Sequence, residues 1–132
     1  MGALPMLGVV NRRNVTHFIH KVTTTTSGAV GSQDAPGVSG VVATKTATKT
    51  GRYTLALGSK FRVFLGGFVS LIGADDTAYT TQKGFGSFFR DNDIDGGAAD
   101  GTVEVQFTRT DTEADTELED GAVAIFHIFV EQ

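Results

Sequence analysis

The chain of 132 residues contains no cysteine, no tryptophan and only two prolines. Without cysteine it forms neither a disulfide nor a thiolate metal centre of the zinc-finger kind, and it suits a reducing compartment. No apolar run approaches the length of a membrane span, and the first residues lack the basic start and long apolar core of a signal peptide. We therefore expect a protein with no membrane segment, no export signal and no cysteine-based metal site.

The residues that are abundant favour strands and turns. There are 17 glycines and 10 phenylalanines, and threonine and valine are frequent. β-branched and aromatic residues suit a pleated, half-buried surface, and glycine suits tight turns. A chain of this length forms one domain and buries enough surface for an ordinary hydrophobic core.

The segment 38–57 holds the clearest strand, turn and strand signal in the chain. A threonine-rich alternation leads into Lys49 and Gly51, after which apolar residues recur at Tyr53, Leu55 and Leu57. This pattern predicts a β-hairpin in which Gly51 supplies the positive φ angle of the turn.

Similar alternation predicts the remaining strands, which are separated by glycine-rich or acidic loops at 27–37, 91–101 and 111–121. The predicted strands cover 15–26, 38–48, 52–57, 68–72, 77–82, 102–108 and 122–130. The spacing of Phe61, Phe64 and Leu65 predicts one helical turn within 58–65. The fold class we expect is all-β: a β-sandwich or barrel of about eight short antiparallel strands, with residues 1–14 as an extended N-terminal arm and 15–132 as a single β domain.

Two of the predicted strands differ in how their apolar residues are distributed over their two faces. The strand at 102–108 alternates cleanly, with Val103, Val105 and Phe107 expected to face the core. The segment 122–130 is apolar on both faces, so it must be covered on both, either centrally in a sheet or under a partner subunit.

The acidic segment 111–121 carries six acids and no base and is expected to be solvated.

Two groups of residues have the composition of metal ligands. Asp91, Asp93 and Asp95, followed by Gly96, match the start of an EF-hand calcium loop, but Thr102 stands where the bidentate glutamate belongs and the flanks read as strands. An acidic surface turn is the alternative, and the pattern leaves calcium binding open. His17 and His20 lie on opposite faces of one strand, which argues against a metal site shared between them. We predict no cofactor and no metal.

The sequence lacks the patterns of common enzymes. It contains no nucleophile elbow, no phosphate-binding glycine loop and no His-Glu-x-x-His motif, so we predict a protein that is not an enzyme. Residues 1–66 hold eight basic residues against one acid, a net charge of +7, whereas residues 67–132 hold three against fourteen acids, a net charge of −11. The acidic half argues against nucleic-acid binding, and the split indicates either a charged partner or intermixed surface charges.

The block from Val41 to Leu57, with Lys60-Phe61-Arg62 and Leu65 after it, resembles small virion proteins of tailed bacteriophages. In those proteins a Thr-Gly-x-Tyr-Thr hairpin is likewise followed by a short turn ending in Leu, a Gly-Thr-Val-x-Val-Gln-like strand and a last strand after an Asp-Gly turn. Here these are residues 50–54, 101–106 and the strand after Asp120 and Gly121. The resemblance covers about residues 38–132 and leaves the arm unmatched.

The resemblance implies a capsid decoration (cement) or other head-associated protein, assembled in the host cytoplasm and located on the capsid exterior. Its partners are then the major capsid protein and further copies of itself, such as a trimer, with no nucleic acid and no membrane. The implied role is to bridge and stabilise capsid subunits without catalysis. The alternatives are a carbohydrate-binding or adhesion module of a head fibre or tail, and a tail-tube or head-completion subunit.

Under this reading we expect the basic residues of the first half to dock on the capsid and the last strand to lie in a subunit interface. The docking candidates are Arg12, Arg13, Lys45, Lys49, Arg52, Lys60 and Arg62. The interface candidates are Phe126, Ile128 and Phe129.

Overall fold

The computed structural model of the protein describes residues 14–74, 85–97 and 99–132. Its strands are β1 (Val15–Thr24), β2 (Val30–Gln33), β3 (Val42–Lys45), β4 (Arg52–Ala56), β5 (Val63–Ile72), β6 (Phe85–Asp93), β7 (Thr102–Arg109) and β8 (Val123–Glu131). A 3₁₀ turn (Thr26–Gly28) and a four-residue helical turn, α1 (Pro36–Ser39), lie between strands. The predicted arm, apart from Asn14, and the strand predicted at 77–82 lie outside the described residues.

The strands form two four-stranded sheets. Sheet A has the order β2-β1-β8-β5 and sheet B the order β3-β4-β7-β6, and all pairings are antiparallel. The two sheets pack on a common hydrophobic core. The prediction of an eight-stranded all-β sandwich is therefore confirmed. The last strand, β8, lies centrally between β1 and β5, as its apolar composition predicted.

Aromatic rings from both sheets meet in the core. Phe126 of sheet A packs against Tyr53 and Phe107 of sheet B, with ring centroids 6.2 Å apart in both pairs, and the Tyr53 and Phe107 centroids are 5.8 Å apart. The Tyr53 hydroxyl donates a hydrogen bond to the Gly28 carbonyl at 2.5 Å. Burial, reinforced by the negative charge of Glu117, raises the pKa of Tyr53 above its usual value. The inward side chains predicted for β7 are fully buried: Val103, Val105 and Phe107.

The predicted hairpin is formed by β3 and β4, and Gly51 has the expected positive φ, at +65°. A side chain at Gly51 would collide with the Thr116 carbonyl oxygen. Its N–H donates to Glu117 Oε1 at 2.7 Å, and its carbonyl accepts from the Phe107 N–H at 2.8 Å. The turn therefore requires glycine both for its backbone angle and for the close packing above it.

The helical turn predicted within 58–65 is wrong. β5 begins at Val63, and the pairing of β5 with β8 shifts between Phe64 and Gly66. A β-bulge places an extra residue in one strand, so it interrupts the alternation of apolar side chains and produces a spacing like that of a helix. The loop predicted at 27–37 is also partly wrong, since it contains the short edge strand β2 and the start of α1.

The acidic segment 111–121 is exposed at both ends and buried in its middle. Residues 111–115 are exposed, whereas Leu118 is 2% exposed and belongs to the core. Glu117 lies 2.9 Å from Lys45 Nζ and also accepts the Gly51 N–H. Leu118 can join the core within an acidic run because the carboxylate of Glu117 beside it is paired with Lys45 and with the Gly51 N–H.

Candidate functional site

The outer face of sheet A carries a continuous set of apolar and aromatic side chains. Because side chains alternate along a strand, the odd-numbered residues of β1 and β8 face outward while the even-numbered ones face the core. On β5 the outward residues after the bulge are even-numbered. We call this set the apolar face, and it consists of Val15, His17, Ile19, Val63, Phe68, Ile72, Val123, Ile125, His127 and Phe129.

Exposed apolar side chains concentrate on this face. In residues 14–74, 85–97 and 99–132, eight large apolar side chains are exposed, and five of them belong to the apolar face: Val15, Ile19, Val63, Phe68 and Ile72. Ile19 is 50% exposed and Phe68 49% exposed. Contiguous apolar patches of this kind mark interaction sites on folded proteins.

The outer face of sheet B differs in its chemistry. Arg90 Nε lies 2.7 Å from Glu104 Oε1, and Arg52 Nε donates to Gln106 Oε1 at 2.9 Å. Phe88, which is 66% exposed, is its main apolar side chain. This face is mostly polar and is compatible with contact to water.

Four stacked rings run diagonally across the centre of the apolar face. Phe68 stacks on His127 with centroids 4.2 Å apart, His127 lies 5.3 Å from His17, and His17 stacks on Phe129 at 4.2 Å. His17 Nε2 and His127 Nδ1 share a hydrogen bond of 3.1 Å. Burial, and then the neighbouring His17, lowers the pKa of His127.

His20 lies on the opposite side of β1 from His17, as the sequence predicted, and is fully buried. Its Nδ1 lies 2.7 Å from Ser39 Oγ and its Nε2 lies 2.7 Å from Gln33 Oε1. Gln33 also accepts the Ala43 N–H at 2.8 Å. Gln33 therefore links β2 of sheet A to β3 of sheet B, and His20 fixes the position of the Gln33 amide.

The structure does not bring the basic docking candidates together. Arg12 and Arg13 lie outside the described residues. Lys45 and Lys49 lie beside the β3–β4 turn, Lys60 and Arg62 lie at the opposite end of the sandwich, and Arg52 lies on the outer face of sheet B. The five described candidates therefore form no single basic patch.

Two of these basic side chains are engaged in ion pairs. Lys45 Nζ lies 2.9 Å from Glu117, and Arg62 pairs with Glu131 at the rim of the apolar face. An ion pair cancels much of the attraction that a lysine or arginine offers to an acidic partner. The net charge of the first half of the sequence does not predict the charge that the folded surface presents.

Of the subunit-interface candidates, only Phe129 is placed to meet another molecule. Phe126 and Ile128 are completely buried between the two sheets. We correct their assignment for a physical reason: adjacent residues of a strand face opposite ways, so the apolar composition of β8 serves the core with one face and the surface with the other. Phe129 lies on the apolar face, stacked on His17.

The acidic turn after β6 is held by its own backbone. Asp91 Oδ1 accepts the Ile94 N–H at 2.8 Å, and Asp93 Oδ2 accepts the Gly97 N–H at 3.2 Å. Among the residues that the structure describes, no group of three or more His, Asp, Glu or Cys side chains is placed to hold a metal ion. The carboxylates of Asp91 and Asp93 instead act as turn-forming groups.

Among the residues that the structure describes, open recesses also occur away from the apolar face. One, of about 570 Å³, lies at the end of the sandwich near Phe18, Phe61 and Asp100. The other, of about 130 Å³, lies on sheet B near Phe88 and Glu104. Neither lining contains a histidine. In the described parts of the chain, no helical segment has the length and apolar content needed to cross a bilayer.

Comparisons with known protein families, curated proteins and solved structures found no match to this chain.

Of the residues of the apolar face, the sequence analysis named only Phe129 as an interface candidate. The apolar outer side of β8 is visible in the sequence, because Val123, Ile125 and Phe129 alternate with core residues. Phe68 and Ile72 carry no such signal, since they join the face only through the pairing of β5 with β8. The same holds for His17 and His127, which are 110 residues apart in the chain.

Proposed function

We propose that the protein is a non-catalytic structural protein that binds another protein through the apolar face. Within that class, we propose that it decorates the outside of a tailed-bacteriophage capsid and bridges the major capsid subunits. The observation that carries the binding role is the exposed, contiguous apolar face. The resemblance of residues 38–132 to small virion proteins is what favours a capsid as the partner.

The size of the apolar face indicates the kind of partner. Three strands about 4.8 Å apart, with about nine residues each rising about 3.3 Å, give a face of roughly 14 by 30 Å, or about 400 Å². A stable pair of proteins buries about 800 Å² on each side. A second copy seated on this face alone would therefore bind weakly. A shell offers more, because a protein at a junction of subunits contacts several of them and gains contacts around its rim.

The charge distribution supports an uncharged, apolar docking site on the shell. Lys21 is the one basic residue within the outward rows of β1, β5 and β8, and Glu131 at their edge pairs with Arg62. The polar outer face of sheet B and the exposed acidic residues 111–115 then face solvent. Negative, polar outer surfaces keep decorated particles from associating with one another.

A matched pair of variants tests the proposal. Phe68→Asp and Phe88→Asp each place a carboxylate at an exposed phenylalanine on an outward strand face, one on sheet A and one on sheet B. We would measure the affinity of each purified variant for capsid shells stripped of accessory proteins. Phe68→Asp should weaken binding by about 30-fold or more, the effect of losing an interface hot spot. Phe88→Asp should change it by less than about threefold.

Circular dichroism and the melting temperature serve as controls, since both variants should remain folded. Equal losses in the two variants, or no saturable binding by the unaltered protein, would refute the proposal. Retention on glycans or unaided assembly into rings would instead favour an adhesion module or a tail-tube subunit.

A further inference from the structure

Two histidines lie at the centre of the apolar face, where an interface usually excludes charge. His17 extends from β1 and His127 from β8, and each ring is stacked on a phenylalanine with centroids 4.2 Å apart. Their facing nitrogens, His17 Nε2 and His127 Nδ1, are 3.1 Å apart. Both rings are therefore fixed by stacking while they share one hydrogen bond.

The number of protons bound to the two rings decides whether this hydrogen bond can form. One of the two nitrogens must carry a hydrogen and the other must present its lone pair, so the bond exists only while at least one ring is neutral. With one proton bound to the pair, a charged ring still donates to a neutral one. With two, both nitrogens carry hydrogen, the bond is lost, and two positive rings face each other across about 3 Å.

We propose that the His17–His127 pair makes docking through the apolar face dependent on pH, with binding to the uncharged apolar surface of the shell at neutral pH and release on acidification. The inference rests on the proposed function, because it concerns the regulation of the same face. The physical cause is desolvation. Covering a doubly charged pair with an apolar partner removes water from two cations, and an apolar surface offers them no counter-ion.

The charged groups around the pair do not offset this cost. Lys21 of β1 has the same sign as the protonated rings and opposes their charging. Asp34, beyond β2, accepts the backbone N–H of Lys21 at 3.0 Å, and Glu131 of β8 is paired with Arg62. The β5 segment 63–72 contains no ionisable side chain. Each of these two carboxylates therefore already has a partner other than the two imidazoles.

The direction of the pH effect follows from the pair. The pKa of His127 is lowered, first by burial and then by His17, so its neutral form is favoured in the folded protein. The neutral His127 ring therefore contributes its full stabilisation of the folded protein above the unperturbed pKa of about 6.5. This stabilisation is lost as the pH falls through the lowered pKa. Because the two nitrogens share one hydrogen bond, a second proton added to the pair meets the repulsion of the first and charges both rings.

The test compares affinities at two pH values. Binding of the purified protein to stripped shells is measured at pH 8 and pH 5 for the unaltered chain, His17→Gln and His127→Gln. Glutamine keeps hydrogen-bonding capacity but does not titrate. The unaltered chain should lose about tenfold in affinity for each pH unit below the second step. The ratio of affinities at the two pH values should fall in each variant, because one imidazolium costs less to cover than two, and should come within about threefold of unity in the double variant His17→Gln/His127→Gln.

The variants also control for titration of the shell itself. If either variant shows the same ratio as the unaltered protein, or if the unaltered protein binds equally at both pH values, the inference is overturned while the proposed function stands. If the unaltered protein fails to bind at pH 8, the proposed function itself is wrong. A readout free of the shell is the NMR titration of the two imidazoles, which should show two coupled steps. Independent single steps would contradict the pairing.

Discussion

The outer faces of the two sheets differ although both sheets have four antiparallel strands and share one core. On sheet A, Ile19 and Phe68 are about half exposed, whereas on sheet B the corresponding rows carry the Arg90–Glu104 ion pair and the Arg52–Gln106 hydrogen bond. A sheet with one core face and one wet face needs only alternating apolar residues. Sheet B fits this pattern, because its outer face is mostly polar. Sheet A has apolar side chains on both faces, which indicates that it has a second apolar surface to bury.

The strand β8 shows the difference most directly. Its even-numbered residues, such as Phe126 and Ile128, are fully buried, and its odd-numbered residues remain partly accessible although they are mostly apolar. In β7, the equivalent central strand of sheet B, the outward residues are Thr102, Glu104, Gln106 and Thr108. Two central strands of one sandwich thus carry different outer faces.

The largest change in stability should appear when an inward ring and an outward ring of β8 are truncated separately. Phe126→Ala removes a ring that packs on Tyr53 and Phe107, and it should lower the free energy of unfolding by about 3 to 5 kcal/mol. Phe129→Ala removes an outward ring and should cost about 1 kcal/mol. Urea denaturation of both variants measures the difference. Similar losses in the two variants would show that the outer face of sheet A is held as firmly as the core.

A smaller loss of stability is expected when a side chain is added to β5 at the contact between the two sheets. A Cβ at Gly67 would collide with the His127 carbonyl oxygen and press on the Phe89 ring of sheet B. Gly67→Ala should therefore lower the free energy of unfolding by about 1 to 3 kcal/mol through overpacking. Gly37→Ala is the control, since no atom lies within 4 Å of the added group. Thermal unfolding of both variants checks this, and an unchanged melting temperature for Gly67→Ala would contradict the close packing.

The smallest effect should come from the outer face of sheet B. Glu104→Gln breaks the ion pair with Arg90, whose side chain is 65% exposed, and exposed pairs contribute only about 0 to 1 kcal/mol. Shell binding should be unaltered because the proposed docking face is on the other sheet. Denaturation and binding are measured on the same preparation, and a clear loss of binding would move the docking surface to sheet B.

Local chemistry made part of this fold predictable. The hairpin, the need for Gly51 and the inward residues of β7 follow from alternation and turn geometry within a few residues. The bulge between Phe64 and Gly66 has no signal of its own in the sequence, because a broken alternation produces the apolar spacing of a helical turn. Leu118 was unexpected as a core residue, since the acids around it gave no sign that Glu117 would pair with Lys45.

The candidate site could not be predicted from local sequence patterns, because the pairing of distant strands decides which residues share one face. The docking prediction used the total charge of the first half, yet the fold separates Lys49 from Lys60 and pairs Arg62 with Glu131. The apolar face instead joins segments from the beginning, middle and end of the chain. Only the order of strands in sheet A places Ile19, His127 and Phe68 in one row.

The most direct test of the central claim is an image reconstruction of stripped shells saturated with the protein at pH 8. We predict ordered density at symmetric positions, with Phe68 and Ile19 against the shell and the outer face of sheet B toward solvent. Ordered density with Phe88 and Arg90 against the shell would contradict the assignment of the docking face. A shell surface without ordered density would contradict the decoration role itself.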